Sequence, residues 1–94
     1  MKILSLEQCI EILEYLKDGQ CRVEIIGEEW YDGDMWHVVI KDPMHDIMSE
    51  ALTTYPQKLV DTLNQAIYKL RNDRNGRNLL FGYFKGKKLE LQAK

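Results

Sequence analysis

The hydrophobic pattern begins with a segment of helical period. Apolar residues recur at helical spacing from Leu6 to Leu16, and acidic residues occupy the opposite side. Ser5 precedes this segment and Gln8 follows three residues later, which is the arrangement of a capping box. We therefore predict a helix over residues 5–18, ended by Gly19 in the left-handed conformation.

The next segment, residues 20–42, alternates between apolar and polar positions and predicts two antiparallel strands. Asp32-Gly33 is a favoured two-residue turn, so we expect the strands to reverse there. That turn sets a register with four informative pairs: Ile25 with Ile40, Ile26 with Val39, Glu28 with His37, and Trp30 with Met35. We expect the helices to cover the face that carries Ile25, Ile40 and Trp36.

After Asp42-Pro43 the pattern predicts a short edge strand over residues 46–51 and then a second helix. We expect Thr54 and Gln57 to form its capping box, Pro56 to lie in its first turn, and Asn75-Gly76 to end it. Six apolar residues at helical spacing make up its predicted buried stripe: Leu59, Val60, Leu63, Ala66, Ile67 and Leu70.

The last segment, residues 79–91, predicts a second hairpin. Leu79 to Phe84 is apolar on both sides, and Gly86 suits the first position of a type II′ turn. Together the segments predict an α+β fold, an antiparallel sheet with two helices packed on one face, in the order α-β-β-(β)-α-β-β. Ninety-four residues are enough for one domain, residues 1–94.

Two features of the composition bear on localisation. No apolar run approaches the roughly 20 residues that a membrane-spanning helix needs. Glu7 and Glu11 interrupt the apolar start of the chain, which argues against a signal peptide. We therefore expect a cytoplasmic protein, in which Cys9 and Cys21 serve as packing thiols rather than as a disulfide.

The residue pattern contains no catalytic constellation. His37, placed opposite Glu28, predicts a surface ion pair or hydrogen bond, and no nucleophile accompanies it. His45 lies beside Asp42 and Asp46, but such short spacing in a loop suits only weak metal binding. We expect a protein that is not an enzyme and that holds no cofactor or metal.

The outer face of the first hairpin is the first candidate site. Six residues belong to it: Ile26, Glu28, Trp30, Met35, His37 and Val39. The apolar members form a stripe that the helices would leave bare, which is typical of a protein-binding surface or a homodimer contact. Alternatively, the C-terminal tail folds across the stripe. Our first hypothesis is therefore a small interaction module that binds a protein partner or its own copy.

The C-terminal half is the second candidate site. The formal net charge is −2, but residues 1–50 hold 12 acids and 4 bases, whereas residues 51–94 hold 3 acids and 9 bases. Seven cations could contact the phosphates of a nucleic acid, while Phe81, Tyr83 or Phe84 stacks on its bases: Lys69, Arg71, Arg74, Arg77, Lys85, Lys87 and Lys88. The alternative explanation is structural, because cations suit the C-terminal end of a helix.

Residues 5–70 also show a resemblance to a known family. An opening amphipathic helix, a short strand, "WHVVI" and the helix "YPQKLVDTLNQAI" after a polar stretch resemble the small phage and prophage "ABA sandwich" domain proteins. The resemblance covers about two-thirds of the chain and leaves out the basic C-terminal segment. It implies a phage or mobile-element context and an accessory role, and it implies no catalytic residues.

Overall fold

The structure, a computed structural model, describes residues 3–30 and 33–87, with the backbone alone at residues 29, 30, 33, 34 and 87. Its elements are α1 (Leu6–Asp18), β1 (Arg22–Trp30), β2 (Gly33–Lys41), β3 (Ile47–Thr54), α2 (Leu59–Lys69), a short 3-10 helix (Leu70–Asn72) and α3 (Arg74–Lys87). The predicted α+β class is confirmed, and so is the order helix, three strands, helix.

The three strands form an antiparallel sheet in chain order, so that β2 is central and β1 and β3 are edges. The predicted register of the first hairpin is wrong by two residues, because Ile25 lies opposite Val38 and not Ile40. Trp30 pairs with Gly33, so the strands join through residues 31 and 32, which lie outside the described residues. A shift of two leaves every residue on its predicted face of the sheet.

A close contact between Gly27 and Trp36 explains why this register is preferred. The two residues lie directly opposite each other, and a Cβ atom at position 27 would be only 2.6 Å from Cζ3 of the Trp36 ring. The ring therefore occupies space that only glycine leaves open. The predicted register would instead have placed Val38 opposite Gly27 and lost this packing.

The helices cover one face of the sheet, which we call the inner face. Its central side chains on β2 and β3 are buried, namely Val38, Ile40, Ser49, Ala51 and Thr53. Two polar contacts join this face to α2: Ser49 Oγ donates to the Ala66 carbonyl, and the hydroxyls of Thr53 and Thr62 are hydrogen-bonded to each other. At the β1 edge the cover is incomplete, because Ile25 remains 45% exposed.

The predicted start of α1 is confirmed. Ser5 Oγ accepts from the Gln8 backbone N–H, and the Gln8 side chain accepts from the Ser5 N–H, which completes the capping box. The predicted end is wrong in one detail. Gly19 has a φ of −85°, and Gln20, one residue later, takes the left-handed conformation with a φ of 71°.

The predicted start of the second helix is wrong. Thr54 is the last residue of β3, Pro56 lies in the following turn, and the helix begins at Leu59. The longer strand forms because Ala51 and Thr53 continue the alternation of inner-face residues. Asp61 then satisfies the helix start by accepting from the Lys58 backbone N–H at 2.9 Å. Within the predicted stripe, Leu63, Ala66, Ile67 and Leu70 are buried, whereas Leu59 and Val60 are half-buried.

The predicted second hairpin is also wrong, because residues 74–87 form α3, and residues 88–91 lie outside the described part. The break comes at Asp73, which has extended backbone angles and whose carboxylate accepts from the Gly76 N–H at 2.9 Å. Asn75-Gly76 therefore starts a helix instead of ending one. Four buried residues then follow the helical period: Gly76, Leu80, Tyr83 and Phe84.

Candidate functional site

The exposed face of α3 carries three cations and an aromatic ring. Arg74, Arg77, Phe81 and Lys85 are spaced by three, four and four residues, which places them within about 80° of arc on a helix. All four are exposed, and the Phe81 side chain is 62% exposed. We call these four residues the cationic face. Residues 74–87 contain four cations and no acid.

The positions of Arg74 and Arg77 within α3 contradict the structural explanation for these two residues, whereas Lys69 and Arg71 lie in the last turns of α2 and of the 3-10 helix, as that explanation expects. Arg74 and Arg77 lie in the first turn, which contains no acidic residue, and not at the C-terminal end of a helix. Cations at the N-terminal end of a helix are disfavoured by the helix dipole, by about 0.3–1 kcal/mol each. Asp73 precedes the helix, and its single negative charge offsets only part of the positive charge of the two arginines. Helix stability therefore does not account for these arginines.

The other predicted cationic residues are placed differently. Arg71 adjoins the cationic face, because Nη1 of Arg77 approaches its carbonyl at 3.5 Å, and its guanidinium lies 5.0 Å from the centre of the Tyr68 ring. Lys69 points to the sheet, where Nζ donates to the Glu50 carbonyl at 3.0 Å. Lys87 ends α3, and its side chain lies outside the described part of the chain, as does the whole of Lys88.

Of the three aromatic residues that we expected to stack on bases, only Phe81 is accessible. Tyr83 and Phe84 are 4% and 5% exposed and belong to the core. Tyr83 stacks edge-on against Tyr15 of α1 with ring centres 5.1 Å apart. Burial, together with a hydrogen bond to the Glu11 carboxylate, raises the pKa of Tyr83 to about 12.

The outer face of the sheet consists of cross-strand rows. Ile26, His37 and Leu52 form one row, and Glu28, Met35 and Thr54 form the next. Ile26 is 43% exposed and Leu52 is 56% exposed, so the apolar ends of the first row are accessible. Trp30 belongs to β1, as Ile26 and Glu28 do, but its side chain lies outside the described part of the chain.

Charged groups interrupt the apolar stripe that we expected on this face. Val39 lies between Glu24 and Glu50 in its row and is only 5% exposed. His37 contacts Glu50, with 2.6 Å between Nε2 and Oε2, and not Glu28 as predicted. Lys41 Nζ lies 3.3 Å from the Glu24 carboxylate. These pairs cover Val39, so the accessible apolar surface is split toward the two edges of the sheet.

An open cleft of about 630 Å³ lies between the end of α1 and the loop after β2. Its lining includes Lys17, Cys21, Arg22, Asp42 and His45. Burial, together with the negative charge of Asp42, raises the pKa of the Cys21 thiol, which therefore stays protonated and poorly nucleophilic at neutral pH. Asp42 Oδ1 accepts from the backbone N–H groups of Met44 and Asp46. Asp42 therefore serves the structure of the loop, and Cys21 is not a reactive thiol.

The two cysteines and the loop acids do not form a reactive cluster. Cys9 and Cys21 are free and buried, and burial raises the pKa of Cys9 to about 11. Over residues 3–30 and 33–87, no three His, Cys, Asp or Glu side chains converge as metal ligands would.

None of the helices in the described residues is both long enough and apolar enough to span a bilayer.

Comparison with known proteins gives no relative: no protein-family model, no curated protein and no solved structure matches this chain.

Sequence reasoning missed two features of these surfaces. Leu52 was not recognised as an outer-face residue, because the third strand was expected to end at residue 51. The alternation of buried and exposed residues through Thr53 is the signal that could have found it. The cationic face was missed because residues 79–84 were assigned to a strand. The helical spacing of Arg74, Arg77, Phe81 and Lys85 could have revealed it.

Proposed function

We propose that this chain binds single-stranded nucleic acid through the cationic face of α3. The observation that carries the proposal is the pair of arginines in the first turn of an acid-free helix, where they weaken the helix. Residues that disfavour local structure are often retained for function. Arginine suits phosphate because its planar guanidinium donates two parallel hydrogen bonds.

Two arginines supply the attraction for phosphate at the start of α3. The Asp73 carboxylate accepts from the Gly76 N–H there, so the helix end itself is already occupied by an anion. Arg74 and Arg77 flank this end, and Arg71 lies beside them. Phosphates bound here would be neutralised by the guanidinium groups of Arg74 and Arg77.

The exposed Phe81 ring favours a single-stranded nucleic acid over a duplex as the ligand. Its ring is exposed one helical turn beyond Arg77 and one before Lys85, so a backbone held by the cations would bring bases to the ring. Stacking on an aromatic side chain stabilises binding by about 1–3 kcal/mol per base and needs an unpaired base. A paired base inside a duplex does not expose its ring in this way.

Fluorescence anisotropy with a labelled 12-nucleotide poly-U or poly-dT strand at low salt tests the proposal. We expect Arg74→Gln with Arg77→Gln to weaken binding at least tenfold and to reduce the slope of log K against log salt by about 1.4, since each phosphate contact contributes about 0.7. Phe81→Ala should weaken binding severalfold with the slope unchanged.

The matched control is Lys17→Gln with Lys58→Gln, which removes the same charge from α1 and from the start of α2. It should bind nearly as well as the unaltered chain. Equal loss in both double variants would mean that only total charge matters, and no binding at about 50 mM salt would overturn the proposal.

The outer face of the sheet supports a second proposal, a site for a protein partner. The row of Ile26, His37 and Leu52 presents two accessible aliphatic side chains on either side of the His37–Glu50 contact. A partner seated on this row would contact both aliphatic side chains and the polar pair between them. Partner capture that Leu52→Asp abolishes and Phe81→Ala preserves would support this site, and the reverse pattern would exclude it.

A further inference from the structure

The two edges of the sheet are protected to different degrees. Along β3, a register irregularity opposite Ile40 and Lys41 distorts the edge, and Lys69 Nζ occupies the Glu50 carbonyl. Bulges and lysines are two devices that prevent an edge from pairing with another strand. Along β1, nine consecutive residues pair regularly with β2, without a bulge or a proline. Among the described residues, no hydrogen bond from a helix or loop reaches the backbone of β1.

The side chains at the open edge are suited to contact with another strand. Ile25 on the inner face and Ile26 on the outer face are 45% and 43% exposed. Arg22 and Glu28 are exposed near the two ends of the strand, and neither makes an ion pair within the described part of the chain. Arg22 even lies opposite Lys41, a cation, in its own sheet.

The charges select one way of pairing β1 with a second β1. An antiparallel pair around a two-fold axis that is perpendicular to the sheet keeps inner faces together and outer faces together. If Ile25 lies opposite its own copy, Arg22 lies opposite Glu28 at both ends. Sliding the strands by two residues in one direction opposes Glu24 with Glu28, and sliding them in the other direction opposes Glu24 with Glu24.

The glycine of the strand fits the same register. With Ile25 at the centre, Val23 of one copy lies opposite Gly27 of the other, next to the Trp36 ring that covers the glycine. Glu24 lies opposite Ile26, whose side chain is accessible on the outer face. No like charges face each other between Arg22 and Glu28.

We propose that two copies of this chain pair through β1 in that register and form a continuous six-stranded antiparallel sheet. The backbone groups at the open edge supply the hydrogen bonds, and the two Arg22–Glu28 pairs fix the register. The inference is independent of nucleic-acid binding, since none of its residues belongs to α3.

Sedimentation equilibrium with charge-reversed variants tests the pairing. The unaltered chain should show twice the chain mass at high concentration. Arg22→Glu alone and Glu28→Arg alone each place like charges opposite each other, and each should raise the dissociation constant at least tenfold. The double variant restores opposite charges, and dimer formation should return. The proposal would be overturned if the unaltered chain were a monomer at all concentrations, or if the single variants kept its dissociation constant. A double variant that stays monomeric would overturn it too.

A cysteine variant tests the register even if a charge reversal impairs folding. Opposed residues in an antiparallel pair have Cα atoms about 4.5–5.5 Å apart, which permits a disulfide. Ile25→Cys should therefore give a covalent dimer under mild oxidation. Leu52→Cys, exposed on the outer face, should not, and the buried native thiols are present in both variants. Crosslinking through position 52 instead would assign self-association to the outer face and overturn the edge pairing.

Discussion

The first and third helices contact each other through Tyr15 and Tyr83, yet they differ in how their sequences treat the helix ends. In α1, Ser5 and Gln8 form a capping box, Glu7 lies in the first turn and Lys17 in the last. In α3, the first turn holds two arginines and no acid. We infer that the charged residues at the ends of α1 stabilise that helix, whereas those at the start of α3 need another explanation.

The strongest destabilisation that we predict follows from the loss of the contacts that hold the segment before α1. The Asn64 side chain accepts from the Leu4 N–H at 2.7 Å and donates to the Leu4 carbonyl at 2.9 Å. Asn64→Ala leaves both buried groups without a partner, so the free energy of unfolding should fall by about 3 kcal/mol in urea titrations. Asn78→Ala, on the exposed side of α3, should change it by less than about 0.5 kcal/mol. Equal effects would contradict the anchoring role.

The next effect is a loss of stability at high pH, to which Cys9 of α1, Tyr83 of α3 and, between α1 and β1, Cys21 contribute. Folding raises the pKa of Cys9 in α1 from 9.0 to about 11, and that of Tyr83 in α3 from 10.0 to about 12. Because the unfolded chain releases these protons first, stability is complete below pH 9 and falls as the pH rises to about 12. The slope should approach 1.4 kcal/mol per pH unit for each group.

Two variants separate these contributions. Cys9→Ala should reduce the fall that begins near pH 9 without abolishing it, because the raised pKa of Cys21 contributes there too. Tyr83→Phe should reduce the part that begins near pH 10, and urea midpoints across the pH range measure both effects. A pH dependence that both variants leave unchanged would contradict the assignment.

Substitutions at the N-terminal caps of α1 and α3 should differ in their cost to stability, because only the cap of α3 faces positively charged residues. Ser5→Ala removes one acceptor and should cost about 1 kcal/mol. Asp73→Ala should cost more, because the carboxylate both accepts from Gly76 and opposes the arginines of the first turn. Asp73→Asn keeps a side-chain oxygen that can accept from the Gly76 N–H and removes only the negative charge. If Asp73→Asn leaves the melting temperature unchanged at low salt, the charge of Asp73 does not stabilise α3.

The smallest effect has the opposite sign. Arg74→Gln with Arg77→Gln should stabilise the fold by about 0.5 kcal/mol, because two cations leave the positive end of a helix. Lys17→Gln, in the last turn of α1, should destabilise it by a few tenths. Both differences should shrink in 1 M salt. A double variant less stable than the unaltered chain would show that these arginines serve the fold after all.

The elements predicted correctly are those whose local signals agree with their packing. The capping box of Ser5 and Gln8 lies directly before an apolar stripe, so α1 was predictable to within a residue. The faces of β1 and β2 were also predictable, since alternation alone determines them. The register was not, because it depends on the Trp36 ring meeting Gly27, a contact between distant residues that no local rule contains.

The errors share a physical cause in ambiguous turn signals. Asn75-Gly76 is a common turn sequence, but Asp73 breaks the chain first and its carboxylate caps the helix that follows. Thr54 and Pro56 resemble a helix start, but Thr53 and Thr54 pair with β2 and extend the third strand. The charges of the cationic face were visible in the sequence. Their common face was hidden until the segment was known to be helical.

The hydroxyls of Ser49 and Thr53 restrict how α2 can align against β3. They meet α2 at Ala66 and Thr62, so the helix runs in the direction opposite to the strand. If α2 slid by one turn, Ser49 would meet another backbone carbonyl, but the buried Thr53 hydroxyl would lose the Thr62 hydroxyl, at a cost of about 1–3 kcal/mol. Apolar packing alone tolerates such a shift, whereas this pair of threonines favours a single alignment.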